Sequence, residues 1–288
     1  MGLCPGTAVE DDTTLHLKAR ARLPHMRRLL PVTDLTTSTP GPEASADREW
    51  TLDELAEAYA YPGDGRPWLR ANMVTTLDGA AQHDGRSQGI SCAADMRIFG
   101  TLRGLADVVL VGAETARREG YRPARAREAF AARRAAAGQG PAPVIAVVSA
   151  GLDLDFSLPL FVSPLVPTLV LTGAGAPADR VRAAREAGVE VVVAGDGAGI
   201  EPARAVAELV ARGHTRMLTE GGPRLLGQFV AAGVLDELCL TVSPVLTAGS
   251  AQRIASGPGV KVPERFSLTS LLEEAGFLFS RYGKNGKN

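Results

Sequence analysis

The chain has 288 residues, 45% of them apolar and 22% charged, and a formal net charge of −1. Those proportions suit a folded protein with a proper core and leave no excess charge for holding nucleic acid or a membrane surface. The longest apolar runs, such as Pro143–Val148, are strand-sized and far short of the roughly 20 residues that cross a bilayer.

Residues 1–25 carry charges but no apolar run of the secretory kind, and Met26 is the expected native start. From Asp34 to Asp47 the composition is Thr-, Ser-, Pro- and Gly-rich, as in a surface connection. A short helix is predicted over Leu52–Tyr59, because Leu52, Leu55, Ala56 and Tyr59 share one face. Pro62-Gly63-Asp64-Gly65 breaks the chain. The expected organisation is an N-terminal extension and linker over 1–66, one folded domain over 67–283, and a tail over 284–288.

Strands are predicted at Leu69–Thr75, Asp107–Val111, Val144–Val148, Thr168–Leu171, Val189–Val193, Met217–Thr219 and Glu237–Val242. Helices fall between them at Ala93–Leu105, Arg125–Ala137, Pro177–Ala187, Pro202–Arg212 and Pro223–Ala232. Ser91 is the expected cap of the first, with Asp95 as its partner. Continuous Val/Ile/Leu strands separated by helices imply a mainly parallel sheet covered on both faces, an α/β architecture. Phe266–Leu272 and Gly276–Tyr282 read as an antiparallel pair at its C-terminal edge.

Cys4, Cys92 and Cys239 are isolated and fit neither a disulfide framework nor a zinc site, so a cytoplasmic protein is expected. His16, His25, His83 and His214 show no metal spacing. Gly173-Ala174-Gly175-Ala176-Pro177 departs from G-x-G-x-x-G and reads as a plain connection between strand and helix. No phosphate-loop, zinc-deaminase or G-x-S-x-G motif occurs.

The chemistry concentrates in two bends. The first runs from Asn72 to Leu77-Asp78-Gly79 and continues into Asp84-Gly85-Arg86-Ser87-Gln88-Gly89-Ile90-Ser91. The second is Thr219-Glu220-Gly221-Gly222-Pro223, a strand passing through a glycine turn into a helix. Free N–H groups at such a helix start suit a phosphate. A carboxylate between a core strand and that turn is costly without a partner, which singles out Glu220. Asp78 reads as a turn former and Asp236-Glu237 as a structural pair. Arg103, taken alone, fits equally a phosphate grip or a charge complementing its helix terminus.

Asn-x-x-x-x-Leu-Asp-Gly, Asp-x-Arg-Ser-x-x-Ile-Ser, Leu-Arg-x-x-x-Asp-x-x-x-Val-Gly-x-x-Thr, Glu-Gly-Gly, Leu235-Asp236-Glu237-Leu238 and Pro244-Val245-Leu246 occur in order from about Trp68 to Tyr282. Together they resemble the reductase domain of riboflavin biosynthesis, the RibD C-terminal family in its stand-alone bacterial form. The resemblance implies a three-layer, dihydrofolate-reductase-like fold, NADPH as cofactor, a small pyrimidine substrate and a homodimer. It places Val74, Thr75, Thr115, Glu119 and Ser149 on the cofactor, with Gly221, Gly222, Pro223, Arg224, Leu225 and Leu226 around its pyrophosphate. Ser87, Arg103 and Glu220 fall at substrate-contacting positions, Arg103 gripping a 5′-phosphate, and Glu220 and Asn72 at catalytic ones. Many bacterial relatives carry Lys at the position of Asn72, so a proton-donor role does not transfer to this amide, and many carry Asp at that of Glu119.

The implied reaction reduces 5-amino-6-(5-phosphoribosylamino)uracil to its ribitylamino form. Two alternatives fit the same residues: a pterin reductase of the dihydrofolate-reductase kind, and a non-catalytic nucleotide-binding protein. Arg122, Arg125 and Arg127 are open candidates for completing a phosphate site.

Overall fold

The computed structural model describes residues 26–30 and 50–285. The expectations for residues 1–25, 34–47 and 286–288, with Cys4, His16 and His25, lie outside the described residues.

In chain order the first elements are β1 (Arg27–Leu30), α1 (Leu52–Ala58), β2 (Trp68–Thr76), α2 (Ala93–Leu105), β3 (Val108–Gly112), α3 (Ala113–Arg118) and α4 (Glu128–Ala136). There follow β4 (Val144–Val148), α5 (Pro159–Val162), β5 (Leu169–Thr172), α6 (Ala178–Glu186), β6 (Glu190–Val193) and α7 (Pro202–Ala211). The last are β7 (Arg216–Thr219), α8 (Pro223–Ala231), β8 (Glu237–Ser243), β9 (Phe266–Glu274) and β10 (Phe277–Lys284). Among the described residues one ten-stranded sheet results, in the order β1-β9-β10-β8-β2-β7-β3-β4-β5-β6. The run from β8 to β6 is parallel, while β10, β9 and β1 are antiparallel.

The expected α/β architecture with its antiparallel C-terminal edge is therefore present, and α2 and β4 match their predicted bounds. Three elements differ from the reading. The edge of the sheet is β1, pairing with β9, so Arg27-Arg28-Leu29-Leu30 is part of the fold. A six-residue α3 follows β3 directly, and a four-residue α5 follows β4. The cap of α2 is Cys92, whose Sγ accepts the Asp95 N–H at 3.4 Å. Ser91 instead donates to the Asp95 carboxylate, which faces the sheet and so cannot fold back onto the helix start.

The sheet is covered on both faces. On one, Ile98, Leu102 and Phe130 pack with Val109, Val111, Ile145 and Val147, joined by Met26, Leu55 and Tyr59. On the other, Leu209, Leu225, Leu226 and Phe229 cover Leu69, Val108, Leu110 and Met217. Each such side chain contributes about 1.5–3 kcal/mol on burial. Thr51 and Glu54 form a capping box that starts α1, whose Leu55 and Ala56 are buried. The segment expected as an extension thus supplies both an edge strand and a core helix.

Charge is buried beneath β2 as well. Arg70 Nη2 and Trp68 Nε1 donate to Glu237 Oε2 at 2.8 and 2.9 Å, and Arg281 Nε donates to Glu237 Oε1 at 2.7 Å. Burial alone raises the Glu237 carboxyl, but Arg70 and Arg281 outweigh it and hold it at about 2. Asp236 accepts the Leu69 N–H at 2.8 Å. Both acids tie β8 to β2, the structural role expected of them. Among the described residues no helix is long and apolar enough to cross a membrane.

Candidate active site

Strand register creates the cleft. β2 pairs with β7 only as far as Ala71 opposite Thr219, yet it stays paired with β8 to Thr76 opposite Ser243. Beyond Thr219 the chain leans onto β3: Glu220 N–H donates to Leu110 O at 3.0 Å, and Gly112 N–H to Gly221 O at 2.7 Å. The sheet splits between Asn72 and Glu220, in the crevice outside the carboxyl ends of parallel strands where such folds take ligands. A cavity of about 1220 Å³ fills this split. That exceeds the roughly 300–1,000 Å³ of a drug-sized ligand site and leaves room for two ligands side by side.

Most of the residues singled out from sequence line it: Asn72, Val74, Ser87, Arg103, Thr115, Glu119, Ser149, Glu220, Gly222, Pro223, Arg224 and Leu225. Thr75, Gly221 and Leu226 do not. Side chains alternate along β2, so Thr75 points to the opposite face from Val74. Gly221 turns its carbonyl to β3, and Leu226 is buried in the core under α8.

At the α8 side, Gly222 caps α8 with Pro223 as its first residue, and no side chain occupies the cap. Thr115 stands against this turn; a Cβ at Gly222 would run into its hydroxyl. The helix start therefore carries no side-chain cap and brings its partial positive charge to the cavity wall. Ser149 lines the same side, its Oγ accepting the Leu152 N–H at 3.0 Å.

The other side carries the acids. Arg103 Nε and Nη2 fork onto Glu220 Oε1 and Oε2 at 2.7 and 2.6 Å, and the Tyr121 hydroxyl donates to Oε2. Burial lowers the affinity of Arg103 for its proton, but the Glu220 charge more than restores it, so the guanidinium is held charged. The bidentate grip expected on a phosphate is thus spent on Glu220, because the helix face carrying Arg103 runs beside the end of β7. Glu119, expected on the cofactor, accepts from the Ser87 N–H and hydroxyl, both at 3.0 Å. It ties the loop after β2 to the segment after α3.

Tyr121, given no role from sequence, Asp95, expected only as a capping partner, and Arg127, an open phosphate candidate, also line this side. Tyr121 is the partner of Glu220. Asp95 lines the cleft from the first turn of α2, accepting from Ser91 Oγ and Thr241 Oγ1, each at 2.6 Å. No cation contacts it among the described residues, and burial raises its carboxyl above the ordinary range despite those two hydroxyls. Arg127 has a buried Nη1 with no partner among the described residues. The spacing Asp95, Phe99, Arg103 along one helix face was the available signal for Asp95. Nothing local marks Tyr121, and the arginine-rich stretch offers Arg127 only as one of three phosphate candidates with Arg122 and Arg125. Asn72 shares the α2 side of the sheet, since β2 and β8 pair Asn72 with Cys239 and Val74 with Thr241. Asp78 stays structural: it accepts the Thr247 and Ala248 N–H groups at 3.1 and 2.6 Å.

Known proteins sharpen this geometry. The family model described as the RibD C-terminal domain matches residues 67–274. A 2,5-diamino-6-ribosylamino-4(3H)-pyrimidinone 5′-phosphate reductase of Archaeoglobus fulgidus is 27% identical over 185 residues, covering 64% of this chain and 83% of the relative. A reductase of the same name from Aquifex aeolicus is 30% identical over 161 residues, covering 56% and 67%. Among solved structures, a pyrimidine reductase-like protein of Corynebacterium diphtheriae superposes with a TM-score of 0.73 at 28% identity, covering 82% of this chain and 99% of that one. Acinetobacter baumannii RibD shares the fold at a TM-score of 0.59 and 18% identity, over 77% of this chain and 59% of its own. With the motifs in order, the sheet split between β2 and β7, and a family match over most of its length, this chain belongs to the RibD C-terminal domain family.

Proposed function

We propose that the protein is an NADPH-dependent reductase of a 6-ribosylaminopyrimidine 5′-phosphate. The substrate is 5-amino-6-(5-phosphoribosylamino)uracil or its 2,5-diamino counterpart, which the relatives' names specify. The observation that carries this reading is the single cavity with a bare helix start on one side and Glu220, Asn72 and Asp95 on the other. The cradle at Gly222 fits the pyrophosphate of a dinucleotide, with Thr115, Arg224 and Leu225 around it. When bound, the reduced nicotinamide would supply the hydride that turns the C1′ iminium of the opened sugar, its N–H retained, into an amine.

The chain's own residues do the rest. Opening the ribose breaks the C1′–O4′ bond as the nitrogen lone pair forms the C1′=N bond, and O4′ takes a proton. Asp95, whose carboxyl burial shifts toward its protonated form, is the proton source, and solvent then restores its proton. The Asn72 amide, with no protein partner among the described residues, orients the sugar. Glu220 accepts from substrate N–H or O–H donors. Arg127, with its unpartnered Nη1, holds the phosphate, since Arg103 is committed to Glu220.

Purified protein given NADPH and each of the two pyrimidines should oxidise the cofactor with at least one. Oxidation with dihydrofolate alone would reassign the enzyme to pterin reduction, and binding without oxidation would make it a nucleotide-binding protein. A cytoplasmic homodimer is part of the proposal; light scattering should read twice 30.1 kDa.

A further inference from the structure

Within the cleft, one short segment holds groups from both bends. Glu119 fixes Ser87 in the loop after β2, through two hydrogen bonds to one carboxylate oxygen. Two residues later, Tyr121 reaches Glu220 at the end of β7. Its ring also lies 5.2 Å from the Arg103 guanidinium, so it touches both members of the ion pair.

The geometry points to Tyr121 as a positioning residue for the reaction proposed above, on which this inference rests: its hydroxyl leaves Glu220 with one outward-facing acceptor site. A carboxylate offers about four lone-pair sites, two on each oxygen. On Oε2, Arg103 Nη2 and Tyr121 take both. On Oε1, Arg103 Nε takes one and the other stays open. Removing the phenol hydroxyl opens a second site on Oε2, where water competes with substrate and the carboxylate loses its fixed aim. Arg103 alone does not fill that second Oε2 site, since its Nη2 already occupies the other one. Tyr121 is suited to permanent donation: burial, then the Glu220 charge, push its phenol well above the ordinary value, so it keeps its proton. Glu119 does the matching task for Ser87, and both acts come from one turn beside Thr115 and the dinucleotide cradle.

The test compares wild type, Tyr121→Phe, Glu220→Gln and the double variant, with kcat, substrate KM and NADPH affinity measured for each. Tyr121→Phe keeps the ring over Arg103 and removes only the hydroxyl. Its kcat should fall about tenfold to a hundredfold, the range for losing a hydrogen bond to a charged group, with NADPH affinity unchanged. The double variant should be no slower than Glu220→Gln alone, because Tyr121 acts through Glu220. Wild-type kcat and KM in Tyr121→Phe, or losses that multiply in the double variant, overturn the inference. A lower melting temperature with unaltered kcat and KM also overturns it. As a second variant, Glu119→Ala should raise the KM for the pyrimidine more than it lowers kcat; unchanged KM counts against the paired role. Absence of turnover by wild type removes the reaction instead. Calorimetric binding of the ribosylaminopyrimidine phosphate then decides: weaker binding by Tyr121→Phe supports the positioning role, and equal binding, or none by wild type, ends it.

Discussion

Two carboxyls in one cleft are set apart by their neighbours. Glu220 faces a guanidinium and a phenol, Asp95 only two hydroxyls. Glu220→Gln should cost about a hundredfold or more in kcat with NADPH affinity nearly intact, measured by steady-state kinetics and cofactor titration. Asp95→Asn should cut kcat about a hundredfold and remove the pH dependence that its loss of a proton gives wild type. Wild-type kcat should fall as pH rises through the raised Asp95 value. A carboxyl raised on folding contributes stability below its unfolded value and loses it as pH rises through the folded one. Asp95→Asn should therefore melt no lower than wild type at neutral pH. Glu220 stood out in the sequence because a carboxylate between a core strand and a glycine turn is conspicuous, whereas Ser87 came only from the family resemblance. The partnership of Arg103 with Glu220 was not legible, because it joins a helix to a strand end distant in sequence.

At the scale of elements, the proposed dinucleotide cradle rests on the start of α8, where no side chain caps the helix. Gly222→Ala places a Cβ against the Thr115 hydroxyl and should weaken NADPH binding about tenfold to a hundredfold, the loss of one charged hydrogen bond. Fluorescence titration of the cofactor reads this directly. β2 depends on the buried Arg70–Glu237–Arg281 set beneath it, and Glu237→Gln should destabilise the fold by about 3–5 kcal/mol in urea denaturation. Glu237 is held low, so its contribution is present above the ordinary carboxylate range and is lost as pH falls toward about 2. Continuous apolar strands and capped helices were legible from their own residues, as with β4 and α2. β1 was not, since Arg27-Arg28-Leu29-Leu30 lacks alternation and becomes a strand only by pairing with β9. The six residues of α3 are too few for a helical period to show.

Over the whole molecule, one mismatch of register brings the two bends together. β2 outruns β7 by the stretch from Asn72 to Thr76, and Glu220-Gly221-Gly222 follows β3 away from it. Sequence order announced both bends; only the sheet order, with β2 and β7 adjacent, makes them the two walls of one cavity. The most direct measurement is the fate of deuterium carried at the nicotinamide C4 of NADPH when protein and 5-amino-6-(5-phosphoribosylamino)uracil or its 2,5-diamino counterpart are mixed. One deuterium should appear at C1′ of the ribityl product by mass spectrometry and NMR, in step with cofactor oxidation. Product without deuterium, or no product from either pyrimidine while NADPH stays reduced, would contradict a cleft built to bring those two molecules into contact.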